Sequence, residues 1–538
     1  MTTPGSEWWR TAVIYQVYPR SFADADGDGI GDLPGALARI DHLADLGVDA
    51  VWFSPFMPSP QKDAGYDVSD YRDIDPMFGT LADFDAFLIA AHERGIRVIV
   101  DLVPNHSSDQ HPWFQEALAA GPGSAARGRY VFAKGKGRGG AQPPNNWPSF
   151  FGGPAWSRLP DGEWYLHLFD SSQPDFNWDN PEVREEFRDV LRFWLDRGVD
   201  GFRVDVAHGL VKDAALPDRV VDTSGQMGGL GNEAPYLAQP GVHDIYRDWR
   251  ALLDTYDGDR TLCAEAWLPT LEQVALWVRP DEMHQAFNMN YLGTPWDAER
   301  LRHVIDESRT VFGAVGAPPT WVLSNHDVIR HPSRLALPEE EQAEGIGPAS
   351  KVLPDPVVAR RRGRAATALM LALPGSAYLF QGEELGLPEV VEIPDAARQD
   401  PRFIRTGGGE YGRDGCRVPL PWTAGGPAFG FNDTGASWLP QPEGWGAHAR
   451  DAQAGDPAST LSLYRALLRL RRAHGLGSGD LEWDTDEGDV LAFRNGDVRV
   501  VANLGADPVP LPPGEVLVRS GGRAADPLGT DETAWIRV

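Results

Sequence analysis

Cysteine is almost absent from this chain of 538 residues: Cys263 and Cys416 are the only two. That excludes a disulfide framework and a zinc-type CxxC pair, and leaves two free thiols expected in the interior. Positive charge is also short, with 49 Lys and Arg against 78 Asp and Glu and a formal net charge of −29. Nucleic acid and anionic membrane surfaces both demand a basic footprint, so neither is an expected partner, and a neutral ligand fits this balance better. No apolar run approaches the ~18 residues of a membrane span. The segment MTTPGSEWWRTAVIYQ has no basic region leading into an apolar one, so no secretory signal is read and the expected compartment is the cytoplasm. No repeat at a solenoid period is present.

What the chain does have is alternation. Apolar strand-like runs AVIYQVY, DAVWFSP, RVIVDLVP, GFRVDV, TLCAEAW, QAFNMN, TWVLSNHD and SAYLFQGEE are separated by segments of helical period such as PEVREEFRDVLRFWLDRG. Near-continuous apolar strands alternating with helices predict a parallel sheet covered on its outside. Eight such units predict a (β/α)8 barrel, an α/β fold. The third strand is followed by roughly 70 residues before the next helix, far beyond an ordinary βα loop. We therefore expect an inserted small domain at 106–176, between barrel parts 1–105 and 177–477. Beyond STLSLYRALLRLRRAHG the pattern shifts to short alternating runs such as DVLAFRNGDVRVVANL, predicting an all-β C-terminal domain at 478–538. Long loops at about 207–241 and 386–430 should rise from the same barrel face as the insert and wall in one pocket.

Three acids stand at the ends of predicted strands: Asp205 in GFRVDV, Glu265 in LCAEAW and Asp327 in LSNHDVIR. That face is where a barrel of this kind keeps its chemistry. Two carboxylates on one bond can cleave a glycosidic linkage, one protonating the leaving oxygen and the other meeting the oxocarbenium-like carbon. Arg203, two residues before Asp205 on a strand, points to the same side and is expected to hold down its pKa. The loop DADGDGIGD places Asp24, Asp26, Asp28, the Ile30 carbonyl and Asp32 at alternate positions with Gly29 sixth, like the start of a calcium loop. Its twelfth position is Gly35 rather than a bidentate Glu.

The motifs DLVPNH (101–106), GFRVDV (201–206), CAEAW (263–267) and SNHD (324–327) resemble, in order and over almost the whole length, the α-amylase superfamily (glycoside hydrolase family 13). QPDFN (173–177) is similar to the QPDLN signature of its α-glucosidase and oligo-1,6-glucosidase branch, with Phe176 replacing Leu. The resemblance implies Asp205 as nucleophile, Glu265 as general acid/base and Asp327 as transition-state stabiliser. It implies His106 and His326 as donors to the sugar in the deepest subsite, and Asp67 with Arg413 as the pair gripping its non-reducing end. Arg417 lies four residues from Arg413 and is an alternative for that role. It also implies a structural Ca²⁺ or Mg²⁺ on the Asp-rich loop, no organic cofactor, and a small oligosaccharide substrate. His208 departs from the Asn usual three residues after the nucleophile, and Val206 resembles enzymes that accept α-1,6 bonds. The expected activity is an exo-acting, retaining α-glucosidase. A transglycosylating or isomerising relative, and a non-catalytic member, remain alternatives. Nothing in the pattern sets an oligomeric state.

Overall fold

A computed structural model of the protein describes residues 7–220, 234–342, 345–484, 488–522 and 526–538. Eight parallel strands make one sheet: β1 Val13–Val17, β2 Ala50–Phe53, β3 Arg97–Leu102, β4 Gly201–Val204, β5 Thr261–Ala264, β6 Gln285–Ala286, β7 Thr320–Val322 and β8 Ser376–Phe380. They pair in the order β7-β8-β1-β2-β3-β4-β5-β6. A parallel bridge between Phe287 and Thr320 brings the end of β6 against β7 and all but closes the barrel. Each of the eight predicted runs contains one of these strands.

Strand periodicity sorts the core into two layers. Ile14, Trp52, Ile99, Cys263, Val322 and Tyr378 share one apolar cluster, while Val13, Tyr15, Val51, Phe53, Val98 and Val100 pack into the larger cluster with the helices. Successive strand residues point to opposite faces, so the first set fills the barrel and the second faces outward. The same alternation carries chemistry to the barrel mouth. Two residues beyond Ile99 is Asp101, two beyond Arg203 is Asp205, and two beyond Cys263 is Glu265.

Between β3 and β4 the chain builds a three-stranded antiparallel sheet from Phe132–Lys134, Glu163–Leu166 and Trp156–Arg158, with Glu163–Leu166 in the centre. Its apolar cluster of Trp147, Trp156, Leu166 and Leu168 also takes in Ala234, Tyr236 and Leu237 from the loop after β4. Insert and loop thus form one wall. Residues 221–233 of the loop expected at 207–241 lie outside the described residues. After the helix Thr460–Ala473 come β9 Leu481–Trp483, β10 Val490–Asn495, β11 Val498–Asn503, β12 Glu515–Arg519 and β13 Glu532–Arg537, antiparallel in the order β9-β10-β11-β13-β12. This sheet is fixed to the barrel helix Pro356–Met370: Trp535 donates to the Ala368 carbonyl, and buried Asp531 pairs with Arg361 and Arg362. Among the described residues no helix is long and apolar enough to cross a membrane.

Candidate active site

The centre of the barrel mouth is Arg203, 1% exposed. Its Nη1 lies 3.0 and 3.1 Å from the two oxygens of Asp101 and 2.8 Å from Asp205 Oδ1, and its Nη2 lies 3.2 Å from Glu265 Oε2. Three carboxylates thus share one guanidinium. Burial pushes Asp205 well up from the usual carboxylate range; Arg203 opposes this, while Glu265 and Asp101 reinforce it. Asp101 moves upward for the same reason, burial outweighing Arg203. Arg203 thus pulls Asp205 down as expected, but desolvation and the neighbouring anions exceed the pull of one cation.

Glu265 is held on both oxygens. Oε2 accepts the Val206 N–H at 2.9 Å, and Oε1 accepts the Trp267 indole N–H at 2.7 Å. Asp327 is clasped differently, its Oδ1 taking Arg413 Nη1 at 3.0 Å and Arg417 Nη2 at 2.9 Å. Burial acts to raise its carboxyl, yet His326 and the two guanidiniums overcome this and hold it below the ordinary range. His326 Nε2 lies 3.1 Å from Asp327 Oδ2 and 2.6 Å from the Tyr66 hydroxyl, and its Nδ1 is 2.7 Å from Gln16 Nε2. Tyr66 stacks on the imidazole at an interplanar angle of 3°.

One expected pair is replaced. Asp67 is fully buried and faces away from the cavity: its Oδ1 accepts from Ser59 Oγ and the Asp63 N–H, and its Oδ2 from the Lys62 N–H. Asp63 lines the cavity instead, with Oδ1 2.9 Å from Arg413 Nη2. Burial pushes Asp63 up to about 6 against the pull of Arg413. Arg413 also binds Asp400 through Nε at 2.6 Å. Asp67 is thus the brace of the turn, and Asp63 the residue that the turn presents.

Sequence reasoning also passed over Tyr66 and Gln173. Gln173 Nε2 reaches both Asp63 Oδ2 and His106 Nε2 at 3.2 Å. It stands in the very QPDFN run that resembles the branch signature, and its amide identifies it only once the chain is folded. Burial lowers His106 to about 4, leaving the ring neutral at neutral pH. Behind it, Asn105 is anchored by Lys212, whose ammonium also pairs with Asp175 at 2.7 Å. His208, 3% exposed, lines the cavity beside Val206 and is likewise lowered to about 4 by burial.

These groups open into a cavity of about 1620 Å³. Phe150, Phe151 and Phe169 from the insert form one wall, and Trp267, Leu268, Pro269 and Met289 form the other. Polar groups at the floor with apolar walls are the usual make-up of a small-molecule site. Outside the cavity lining, Asp24, Asp26 and Asp28 each bring a ligand atom to within 4.8 Å of the others. Converging carboxylates of this kind suit a hard divalent cation. Asp32 does not join them. Its oxygens accept the N–H groups of Ala25, Asp26 and Gly35, capping the helix Leu33–Ala38. The Ile30 N–H is bound to Asp28 Oδ1 at 2.7 Å.

A parallel eight-stranded barrel that gathers acids on an arginine at the C-terminal ends of its strands, beneath a cavity with polar floor and apolar walls, has the build of a glycoside hydrolase. The comparisons define the family: the model of the α-amylase catalytic domain matches residues 16–478, and the chain belongs to the α-amylase family. It is 39% identical to a probable alpha-glucosidase of Rhizobium meliloti, covering 91% of this chain and 87% of that protein. Identity to an oligo-1,6-glucosidase of Parageobacillus thermoglucosidasius is 35%, covering 89% and 86%. Among solved structures, an alpha-glucosyl transfer enzyme, XgtA, superposes with a TM-score of 0.85 at 37% identity and full coverage of both chains. The trehalulose synthase MutB of Pseudomonas mesoacidophila does so at 0.84 and 32% identity, covering 99% and 100%.

Proposed function

We propose that the protein is a retaining, exo-acting α-glucosidase that removes terminal glucose from short malto- or isomalto-oligosaccharides. The observation carrying this reading is that Asp205 and Glu265 are held by the two terminal nitrogens of one guanidinium. Sharing one small cation favours the separation of about 5–5.5 Å used by retaining enzymes over the wider gap that admits a water. In the first displacement a carboxylate oxygen of Asp205 attacks the anomeric carbon while Glu265 gives its proton to the leaving oxygen. In the second, Glu265 takes a proton from water as that water attacks the same carbon and frees Asp205. Asp327, kept ionised by Arg413 and Arg417, is placed to bind the hydroxyls of the distorted ring.

The exo character rests on Arg413 and Asp63, whose contact at 2.9 Å stands beside the acids at the cavity floor. A charged fork and a carboxylate suit vicinal hydroxyls, which a terminal sugar presents at its non-reducing end. A second reading, glucosyl transfer or sucrose isomerisation, is favoured by the apolar wall of Trp267, Leu268, Pro269 and Met289, which suits an acceptor other than water, and by the likeness to XgtA and MutB. Offering maltose, isomaltose, sucrose, trehalose and maltotriose separately divides the two. Free glucose from maltose or isomaltose supports hydrolysis; new di- or trisaccharides support transfer; no turnover of any overturns both.

We further propose that Asp24, Asp26 and Asp28 hold a structural Ca²⁺ or Mg²⁺. The loop packs on residues 432–438, with Asn432 donating to Asp24 at 2.6 Å and Thr434 to the Gly27 carbonyl. A cation there ties the first βα loop to that segment and takes no part in catalysis. Chelation should lower the melting midpoint and Ca²⁺ should restore it. An unchanged midpoint, with no metal in the purified protein, refutes the site.

A further inference from the structure

We infer that Trp267 is a positioning residue that governs when Glu265 acts as acid and when as base; this rests on Glu265 being the acid/base of the reaction proposed above. Glu265 Oε2 faces the Val206 N–H at 2.9 Å and Arg203 Nη2 at 3.2 Å, and neither group can accept a proton. Both are immobile. Arg203 is 1% exposed and locked to Asp101 and Asp205. Val206 is a β-branched residue at φ +44°, a left-handed conformation held only where its surroundings impose it, and its N–H belongs to the main chain.

The transferable proton therefore has to reside on Oε1. That oxygen faces a third donor, the Trp267 indole N–H at 2.7 Å, which also cannot accept. All three of these contacts come from donors, an arrangement that matches the carboxylate form needed to activate water in the second displacement. The first displacement needs the opposite. Trp267 is the one donor of the three on a side chain that is neither main chain nor fully buried, and it lies on the wall beside Leu268 and Pro269. A leaving sugar entering along that wall turns the indole off Oε1 and lets the oxygen carry a proton. Its departure lets the indole return, converting Glu265 to a base.

Trp267→Phe keeps a ring and removes the N–H; Trp267→Leu removes the same donor with a smaller side chain, should the first variant not fold. The readout is the pH profile of kcat/KM on maltose, whose leaving group needs protonation, and on p-nitrophenyl α-glucoside, whose leaving group does not. On maltose the alkaline limb should move upward by about one pH unit, the scale of a lost hydrogen bond to a charged group. On the aryl glucoside kcat/KM should change less than twofold near neutral pH. An unmoved maltose limb in a folded variant overturns the inference, as does an equal loss on both substrates, which marks a structural role alone. Glu265→Gln, measured in parallel, keeps the two readings distinguishable. If that variant turns over maltose normally, the assignment of Glu265 itself falls.

Discussion

Asp205→Asn should lower kcat on maltose by a factor on the order of 10⁴ or more, because the amide cannot form the glucosyl ester through which both displacements pass. The same change should leave the protein folded. Arg203 retains Asp101 and Glu265 as partners, and one of three anions crowded on a single cation is removed. Since burial already disfavours the Asp205 charge, the melting midpoint should stay level or rise. Steady-state kinetics with calorimetry on the same preparation reads both quantities. A folded variant retaining a tenth of wild-type turnover would remove Asp205 from the role of nucleophile, and a binding module would show no such contrast.

Arg413→Ala should damage binding and stability together. The guanidinium touches Asp63, Asp400 and Asp327 within 3.0 Å, and Asp63 and Asp400 have almost no access to water. Removing one partner of a buried ion pair typically costs about 3–5 kcal/mol, since the remaining charge is left uncompensated. Arg417 stays on Asp327, so the loss should fall mainly on the Asp63 and Asp400 side. kcat/KM for maltose should drop on the order of 10³-fold, consistent with losing a charged contact of roughly 4 kcal/mol to the sugar. Arg413→Lys should recover only part of this, because a point charge cannot reproduce three directed contacts. A variant with wild-type KM and midpoint would show that the clasp neither binds substrate nor supports the fold.

The barrel was legible because its strands are buried on both faces and therefore appear as apolar runs, and because a period of two sends Arg203 and Asp205 to one side. Burial patterns of β1, β2, β4 and β5 are uniform, which is why these runs show no polar alternation. The roles of Asp63 and Asp67 were not legible. The two acids stand four residues apart in DAGYD, and a turn through Ala64 and Gly65, both at positive φ, decides which faces the cavity. The Asp-rich loop carries a similar lesson. Alternate spacing suggested five ligands; Asp24, Asp26 and Asp28 converge to within 4.8 Å, while Asp32 also starts a helix. Nor does any motif reveal that Asp101, Asp205 and Glu265 converge on one arginine from three strands. That crowding, which raises Asp205 where a lone Arg203 was expected to lower it, exists only in the closed barrel.

The central claim is retention at the anomeric carbon by a pair of carboxylates on Arg203. It is tested most directly by following p-nitrophenyl α-glucoside with the enzyme by proton NMR, before mutarotation mixes the anomers, because its only free sugar comes from the cleaved anomeric carbon. The account predicts that glucose appears first as the α-anomer and only later as the β-anomer; β-glucose as the first product would mean inversion and would contradict it.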